Sequence, residues 1–271
     1  MIGKVVLVTG ATSGIGRQTA IQMARRGATV IVHGRKPERV AAAMDDVRAA
    51  APPGTPVLSA VADLSSQRQV RELAAQVLQL APRLDVLINN AGVIVHRRHL
   101  TEDGLEHTFA VDHLAAFLLT DLLLGRLVES APARVITVSS TVHQSGVLDF
   151  DDLQGERRFR GGAAYAAAKL ANVLFAFELA ERLLGKGVTS NCLHPGAVNT
   201  RLLLHGWLVP FGAPPSVGAR TSVYLAGAPE LEGVSGAYFH GRRRRTPSAA
   251  AYDTEVRRTL WDESARLTGL T

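Results

Sequence analysis

Seven apolar, β-rich runs alternate with amphipathic segments along the chain, and this alternation limits the fold more than any other feature. The runs are "KVVLVT" (4–9), "ATVIVH" (28–33), "PVLSAV" (56–61), "LDVLIN" (84–89), "ARVITVS" (133–139), "VTSNCL" (188–193) and "GAYF" (236–239). Helical patterns fill the intervals near 15–26, 37–50, 67–80, 103–130, 162–185 and 216–227. Strands buried on both faces read as continuous apolar runs, and alternation with helices calls for a parallel sheet covered on both sides. No linker, repeat or break in composition divides the chain. The expectation is α/β: one doubly wound domain over residues 1–271 with a parallel seven-stranded sheet.

Composition narrows the functional classes. Hydrophobic residues make up 46% and charged residues 20%, the balance of an ordinary globular protein. The net charge of +6 owes much to Arg242–Arg245, which reads as a solvated basic loop rather than a nucleic-acid surface. Cys192 is the one cysteine, so no disulfide framework exists within the chain, and a reducing, cytoplasmic setting is expected. "MIGKVVLVTG" lacks the basic start and cleavage site of a secretory leader. With no run near ~20 uninterrupted apolar residues, no membrane span is expected. His96, His99, His107 and His113 form no recognised ligand spacing, so no metal is expected. Cys192 reads as a small buried residue at a strand end.

Three local patterns carry chemistry. "VTGATSGIGRQTA" follows the first strand and opens a helix, with Gly10, Gly14 and Gly16 spaced for a tight turn and close backbone approach to a pyrophosphate. After the second strand, "IVHGRKPER" has Gly34 where an NAD-preferring site would carry a carboxylate, then Arg35 and Lys36, which suit a 2′-phosphate. Tyr165 and Lys169 in "AAYAAAKL" stand four residues apart, about one helical turn, on one helix face. Two long Gly- and Pro-containing segments, 140–162 and 196–216, fall where ligands bind in open α/β sheets. Within the second, "LLLHGWLVPF" (202–211) reads as a substrate lid.

"TGATSGIG", Asp63-Leu64, "NNAG" (89–92), Ser140, "YAAAK" (165–169) and "HPGAVNT" (194–200) occur in order over nearly the whole chain. This set resembles the short-chain dehydrogenase/reductase superfamily. "LLGRLVESAPARVITVSSTVH", "DDLQGE" and the 25 positions from Ser140 to Tyr165 are similar to its retinol-dehydrogenase-like subgroup. The resemblance implies a Rossmann domain, with a cofactor half at about 1–140 and a catalytic, substrate-binding half at about 140–271. It also implies NADP(H) in preference to NAD(H), a small carbonyl or alcohol substrate, and a homodimer or homotetramer to which the apolar helix at 162–185 could contribute.

The same resemblance assigns roles. Gly10, Thr12, Ser13, Gly14, Ile15 and Gly16 would cradle the dinucleotide, with Arg35 and Lys36 at its 2′-phosphate. Asp63 and Leu64 would meet the adenine, Asn90, Ala91 and Gly92 the adenosine-side ribose region. Pro195, Gly196, Val198 and Thr200 would position the carboxamide. Tyr165 would be the general acid or base, helped by Lys169, whose cation favours the phenolate and which also holds the nicotinamide ribose. Ser140 would bond the substrate oxygen; Ser139 is the rival. Asp112 in "FAVDHLAAF" departs from the family's Asn, and a carboxylate near Lys169 would offset the lysine's effect on Tyr165. The activity implied is oxidoreduction between an alcohol and a carbonyl on an apolar, retinoid- or steroid-like substrate. A non-catalytic, cofactor-sensing protein that keeps the fold is the rival reading.

Overall fold

Residues 1–199 and 212–270 are described by the structure, a computed structural model. The first strand, β1 (Val5–Val8), is all valine and leucine because both of its faces are covered and none of its four residues reaches solvent. It lies inside a single sheet with β2 (Thr29–Gly34), β3 (Val57–Val61), β4 (Val86–Asn89), β5 (Ala133–Val138), β6 (Val188–His194), β7 (Ala237–His240) and β8 (Arg243–Arg245). The strand order is β3-β2-β1-β4-β5-β6-β7-β8, and every pairing is parallel except β7 with β8.

Helices α1 (Gly14–Ala24), α2 (Pro37–Ala50) and α6 (Pro215–Gly227) cover one face of the sheet. The other is covered by α3 (Gln67–Leu80), α4 (His107–Glu129) and α5 (Gly161–Arg182). A last helix, α7 (Thr254–Thr268), packs on α5. The chain leaves β1 toward β2 in one direction and continues from β4 in the other. The crevice of the fold therefore opens at the carboxyl ends of β1 and β4.

Two features differ from the sequence expectation. The sheet has eight strands, because Arg243–Arg245 are not a solvated loop but an exposed antiparallel edge strand folded back on β7. β7 offers this polar run an edge to pair with, and charge on the new edge discourages further strand pairing. The helix at α7 has no counterpart among the expected helices. Asp253 caps it, accepting from Glu255 N (3.0 Å) and Val256 N (3.1 Å), and Gly269 ends it at φ 64°.

Both α4 and α5 are long and apolar enough to cross a membrane by length and composition, yet most of each is buried here inside the fold. Their apolarity is that of core helices wedged between the sheet and α3 or α7. Cys192 is fully buried within β6 rather than at its end, and burial pushes its thiol above the ordinary range.

A buried charge cluster fastens α7 to α5. Arg257, 4% exposed, reaches Glu178 at 3.4 Å and Glu181, and donates to Ala251 O at 2.8 Å. Arg182 pairs with Glu178 at 2.8 Å and lies 4.2 Å above the Trp261 ring. Removing one member of a buried pair strands its partner in a medium that solvates it poorly. Arg257→Ala is expected to cost about 3 kcal/mol on that scale, read as a lower urea midpoint. An unchanged midpoint would mean that α7 docks through Leu260, Trp261 and Ala265 alone.

Candidate active site

The glycine turn between β1 and α1 is held from three sides. Gly10 adopts φ 64° and its N–H donates to His33 Nδ1 at 3.2 Å. His33 Nε2 lies 3.1 Å from Ala62 O, so the ring proton sits on Nε2 and donates there. Burial lowers the His33 pKa to about 4, which keeps this one tautomer. Thr9 Oγ1 accepts from Asn90 N (2.9 Å) and Ala91 N (3.1 Å), while Asn90 Nδ2 donates to Thr9 O (2.8 Å). The two loops thus close on each other tightly enough that a side chain on Gly16 would overlap Asn90 Nδ2 and Gly10 O.

These observations fit a dinucleotide. The turn leaves backbone close to the ligand path, and Ser13 precedes α1 without using its hydroxyl to cap it. A Cβ at Gly34 would come within 3.0 Å of Val40 Cγ2 and closer still to Thr12 Cγ2, so a side chain at that strand end requires those two side chains to shift. Arg35 and Lys36 follow it, both exposed. Asp63 accepts from Ser65 N (3.0 Å) and Ser65 Oγ (2.8 Å). Burial opposes its ionisation, but these bonds and the nearby Arg35 hold its carboxyl below the usual range. It does not cap α3, since Ser66 does so by accepting from Gln69 N. Leu64 turns into the core.

Across the crevice, the structure brings Ser140, Tyr165, Lys169 and Asp112 together. Tyr165 and Lys169 are buried on α5, with the ammonium 5.3 Å from the phenol ring centre. Ser139 and Ser140 are distinguished by their bonds. The Ser139 hydroxyl is buried and donates to Lys169 O at 2.7 Å, which occupies it with the helix backbone. Ser140 is half-buried, and its hydroxyl interacts with Tyr165.

Asp112 lies in a π turn, Ala110–Leu114, within α4. Such wide turns insert one extra residue into a helix and gather at functional sites. Here the turn faces the crevice: Asp112 Oδ2 stands 2.8 Å from Lys169 Nζ, and Oδ1 accepts from Val93 N at 2.7 Å. A Cβ on Gly92 would come within 3.1 Å of both Asp112 Oδ2 and Lys169 Nζ, so the pair is roofed by a residue without a side chain.

The electrostatics follow from this closure. Burial raises the Asp112 carboxyl above its ordinary range, although Lys169 and the Val93 N–H pull it back. Burial works against the Lys169 ammonium, yet the Asp112 carboxylate and Tyr165 together outweigh it and raise the lysine. Tyr165 is raised as well. Burial is the largest cause, Asp112 adds to it, and Lys169 and the Ser140 hydroxyl oppose it.

The segment after β6 carries Pro195, Gly196 at φ 88° and the buried Val198, which packs against Gly218 of α6. Thr200 and the segment 202–211 lie outside the described residues. The four histidines do not gather: His99 stacks on His107 at 4.3 Å, while His113 is buried against Ser264 Oγ at 2.8 Å. Among the described residues, no three His, Cys, Asp or Glu side chains form a metal-sized cluster.

A family model described as short chain dehydrogenase matches residues 4–205. The chain belongs to this family. Retinol dehydrogenase 13 of Homo sapiens is 46% identical, with 99% of this chain and 85% of that protein covered. Retinol dehydrogenase 14 of Homo sapiens is 44% identical over 100% and 88% of the two chains. Among solved structures, an uncharacterised protein of Mycobacterium paratuberculosis superposes with a TM-score of 0.82 at 34% identity, covering 99% of this chain and 94% of that one. The Pseudomonas aeruginosa RhlG/NADP active-site complex gives 0.73 at 27% identity, covering 88% and 94%.

Sequence reading missed His33 and Thr9, which brace the glycine turn. Both lie within strands expected to be merely apolar, and only the unusual "H" before Gly34 signalled one of them. It also missed His143 and His194, which flank Ser140.

The Asp112–Lys169 contact predicts a pH effect. Asp112 raises the Tyr165 pKa, so Asp112→Asn should move the alkaline-side apparent pKa for alcohol oxidation downward, with dinucleotide affinity little changed. Rate profiles against pH for the two proteins check this. Superimposable profiles would mean that the carboxylate exerts no field on the phenol.

Proposed function

We propose that this chain is an NADP(H)-dependent oxidoreductase that interconverts an alcohol and a carbonyl on a relatively apolar aldehyde, ketone, retinoid- or steroid-like substrate. The observation that carries the reading is the buried Tyr165 phenol with the Ser140 hydroxyl beside it and the Lys169 ammonium 5.3 Å from its ring. A phenol so placed is an acid–base group with an oxygen-binding partner, in a crevice beside a dinucleotide-type turn. The retinol dehydrogenase names of its relatives support the substrate class. Neighbouring structures named as NADP complexes, that of RhlG and one from Shigella flexneri, support the cofactor.

When bound, the nicotinamide supplies or accepts the hydride. The chain's own residues handle the proton and the oxygen. Ser140 donates a hydrogen bond to the substrate oxygen and stabilises the charge that develops there. Tyr165 gives its phenolic proton to that oxygen in reduction and takes one from the hydroxyl in oxidation. Lys169, anchored by Asp112, stabilises the phenolate and offers its remaining N–H bonds to the nicotinamide ribose. Pro195, Gly196 and Val198 would hold the carboxamide, with Thr200 assigned to the same group from the sequence alone. Arg35 and Lys36 would hold the 2′-phosphate, and Gly34, with the Thr12 and Val40 side chains crowded against it, supports that choice by supplying no competing carboxylate.

Two substitutions test the reading. Tyr165→Phe keeps the ring and removes the proton, so turnover should fall ~10²–10⁴-fold, the usual range for lost acid–base catalysis, while dinucleotide binding persists. Near-normal turnover would overturn the catalytic assignment, whereas no turnover by the unaltered chain with NADP and a panel of alcohols would favour the rival sensor reading. Arg35→Asp should weaken NADPH far more than NADH in paired titrations, since repulsion replaces a charge-assisted contact. Equal weakening, or an original preference for NADH, would rule out the NADP reading.

A further inference from the structure

The peptide unit that joins Ser140 to Thr141 is gripped by a histidine on each side. Its carbonyl oxygen lies 2.6 Å from His143 Nδ1, and its N–H donates to His194 Nδ1 at 3.3 Å. His143 comes from the 3₁₀ turn Thr141–Ser145 and His194 from the last residue of β6.

The bonding partners fix both tautomers. His143 Nε2 accepts from Ser248 N at 3.1 Å, so the ring proton must sit on Nδ1, where it donates to the Ser140 carbonyl. His194 Nδ1 faces an N–H and must be bare, so its proton is on Nε2. Both rings are buried, His143 fully, and His143 packs at 4.8 Å on the Tyr238 ring. Burial lowers the His143 pKa, and burial with the neighbouring His240 and His143 takes His194 to about 4. Neutral rings are what the two bonds require.

A peptide plane held at both its C=O and its N–H cannot rotate. Ser140 sits in extended conformation (φ −150°, ψ 158°), and the orientation of that plane sets its ψ. Its hydroxyl bonds Tyr165 and, at 3.5 Å, accepts from Val142 N. The clamped peptide plane helps fix where the Ser140 Cβ stands, and so the place from which the hydroxyl reaches Tyr165 and the crevice.

We propose that His143 and His194 are positioning residues that clamp the Ser140–Thr141 peptide and thereby aim the Ser140 hydroxyl at the substrate oxygen. The proposal rests on the reading of Ser140 as the group that bonds that oxygen. It also links three distant parts of the chain to one hydroxyl: the turn after β5, the end of β6 beside Pro195, and the segment after β8 through Ser248.

The test is a double-mutant cycle in the full chain. His194→Leu removes the acceptor and His194→Asn returns an oxygen near the Nδ1 position. His194→Leu should lower kcat about 10–100-fold, the scale of a small misplacement at a reacting centre, with the dissociation constant for NADPH within about twofold. His194→Asn should recover most of the loss. In a Ser140→Ala background His194→Leu should cost less than about twofold more, because the hydroxyl it aims is gone.

His143→Leu and His143→Asn, which keeps a donor toward the Ser140 carbonyl, give the same comparison if His194→Leu does not fold. An equal loss with and without the Ser140 hydroxyl, or no recovery by Asn, overturns the clamp and leaves the catalytic reading standing. Unchanged turnover in Ser140→Ala by itself removes the role given to Ser140 and the clamp together, and leaves the Tyr165 assignment to its own test.

Discussion

Lys169 is held at both ends, and the geometry of the crevice depends on it. Its carbonyl accepts the Ser139 hydroxyl at 2.7 Å, and its ammonium meets the Asp112 carboxylate at 2.8 Å. Two charges taken out of water are tolerated only where further bonds satisfy them. Asp112 has the Val93 N–H at 2.7 Å, and Gly92 allows the β4 loop to close over the pair. The π turn of α4 delivers Asp112, α5 delivers Lys169, and the β4 loop seals them. Because Ser139 is committed to the Lys169 carbonyl, the next serine is left to face the crevice.

The opposite wall of the crevice is built without charge. Thr9, His33 and Asn90 bind backbone groups of the glycine turn and of the β4 loop, so each loop becomes part of the other's support. A turn meant to bring main chain near a phosphate has few side chains of its own to stiffen it. Rigid neighbours must supply what glycine lacks. His33 does so from β2 by bonding Gly10 N and Ala62 O with one ring, which ties the turn to the strand end where Gly34 and Arg35 lie.

Much of this was legible in the sequence because it is periodic or covalently local. The seven expected strands and six expected helices all form, within a few residues of their expected bounds, since buried parallel strands and amphipathic helices leave patterns that need no tertiary context. Tyr165 and Lys169 are legible for the same reason, a helical turn being a fixed distance.

What the sequence hid is tertiary. Arg243–Arg245 has the composition of a loop and becomes a strand only because β7 offers it an edge. The π turn breaks the 3.6-residue period at the point where Asp112 and His113 both turn inward, and no composition marks it. The helix α7 has an ordinary cap and an amphipathic face, but its hold on α5 rests on Arg257, a charge whose burial no local pattern announces. Ser139 and Ser140 are adjacent and identical, and only their partners across 30 residues of sequence separate them.

The sum of these fields gives the pocket a direction. Lys169 alone would pull the Tyr165 phenol toward ionisation, but burial and Asp112 together push it the other way, and the net effect is a phenol above its ordinary range. Around neutral pH the side chain therefore rests with its proton on. In the proposed reaction that state is the one needed to protonate a carbonyl oxygen, whereas alcohol oxidation must first form the phenolate against the field of Asp112. Burial is the larger cause and the Asp112 carboxylate adds to it, so the contact that orients Lys169 also helps keep the proton on the phenol.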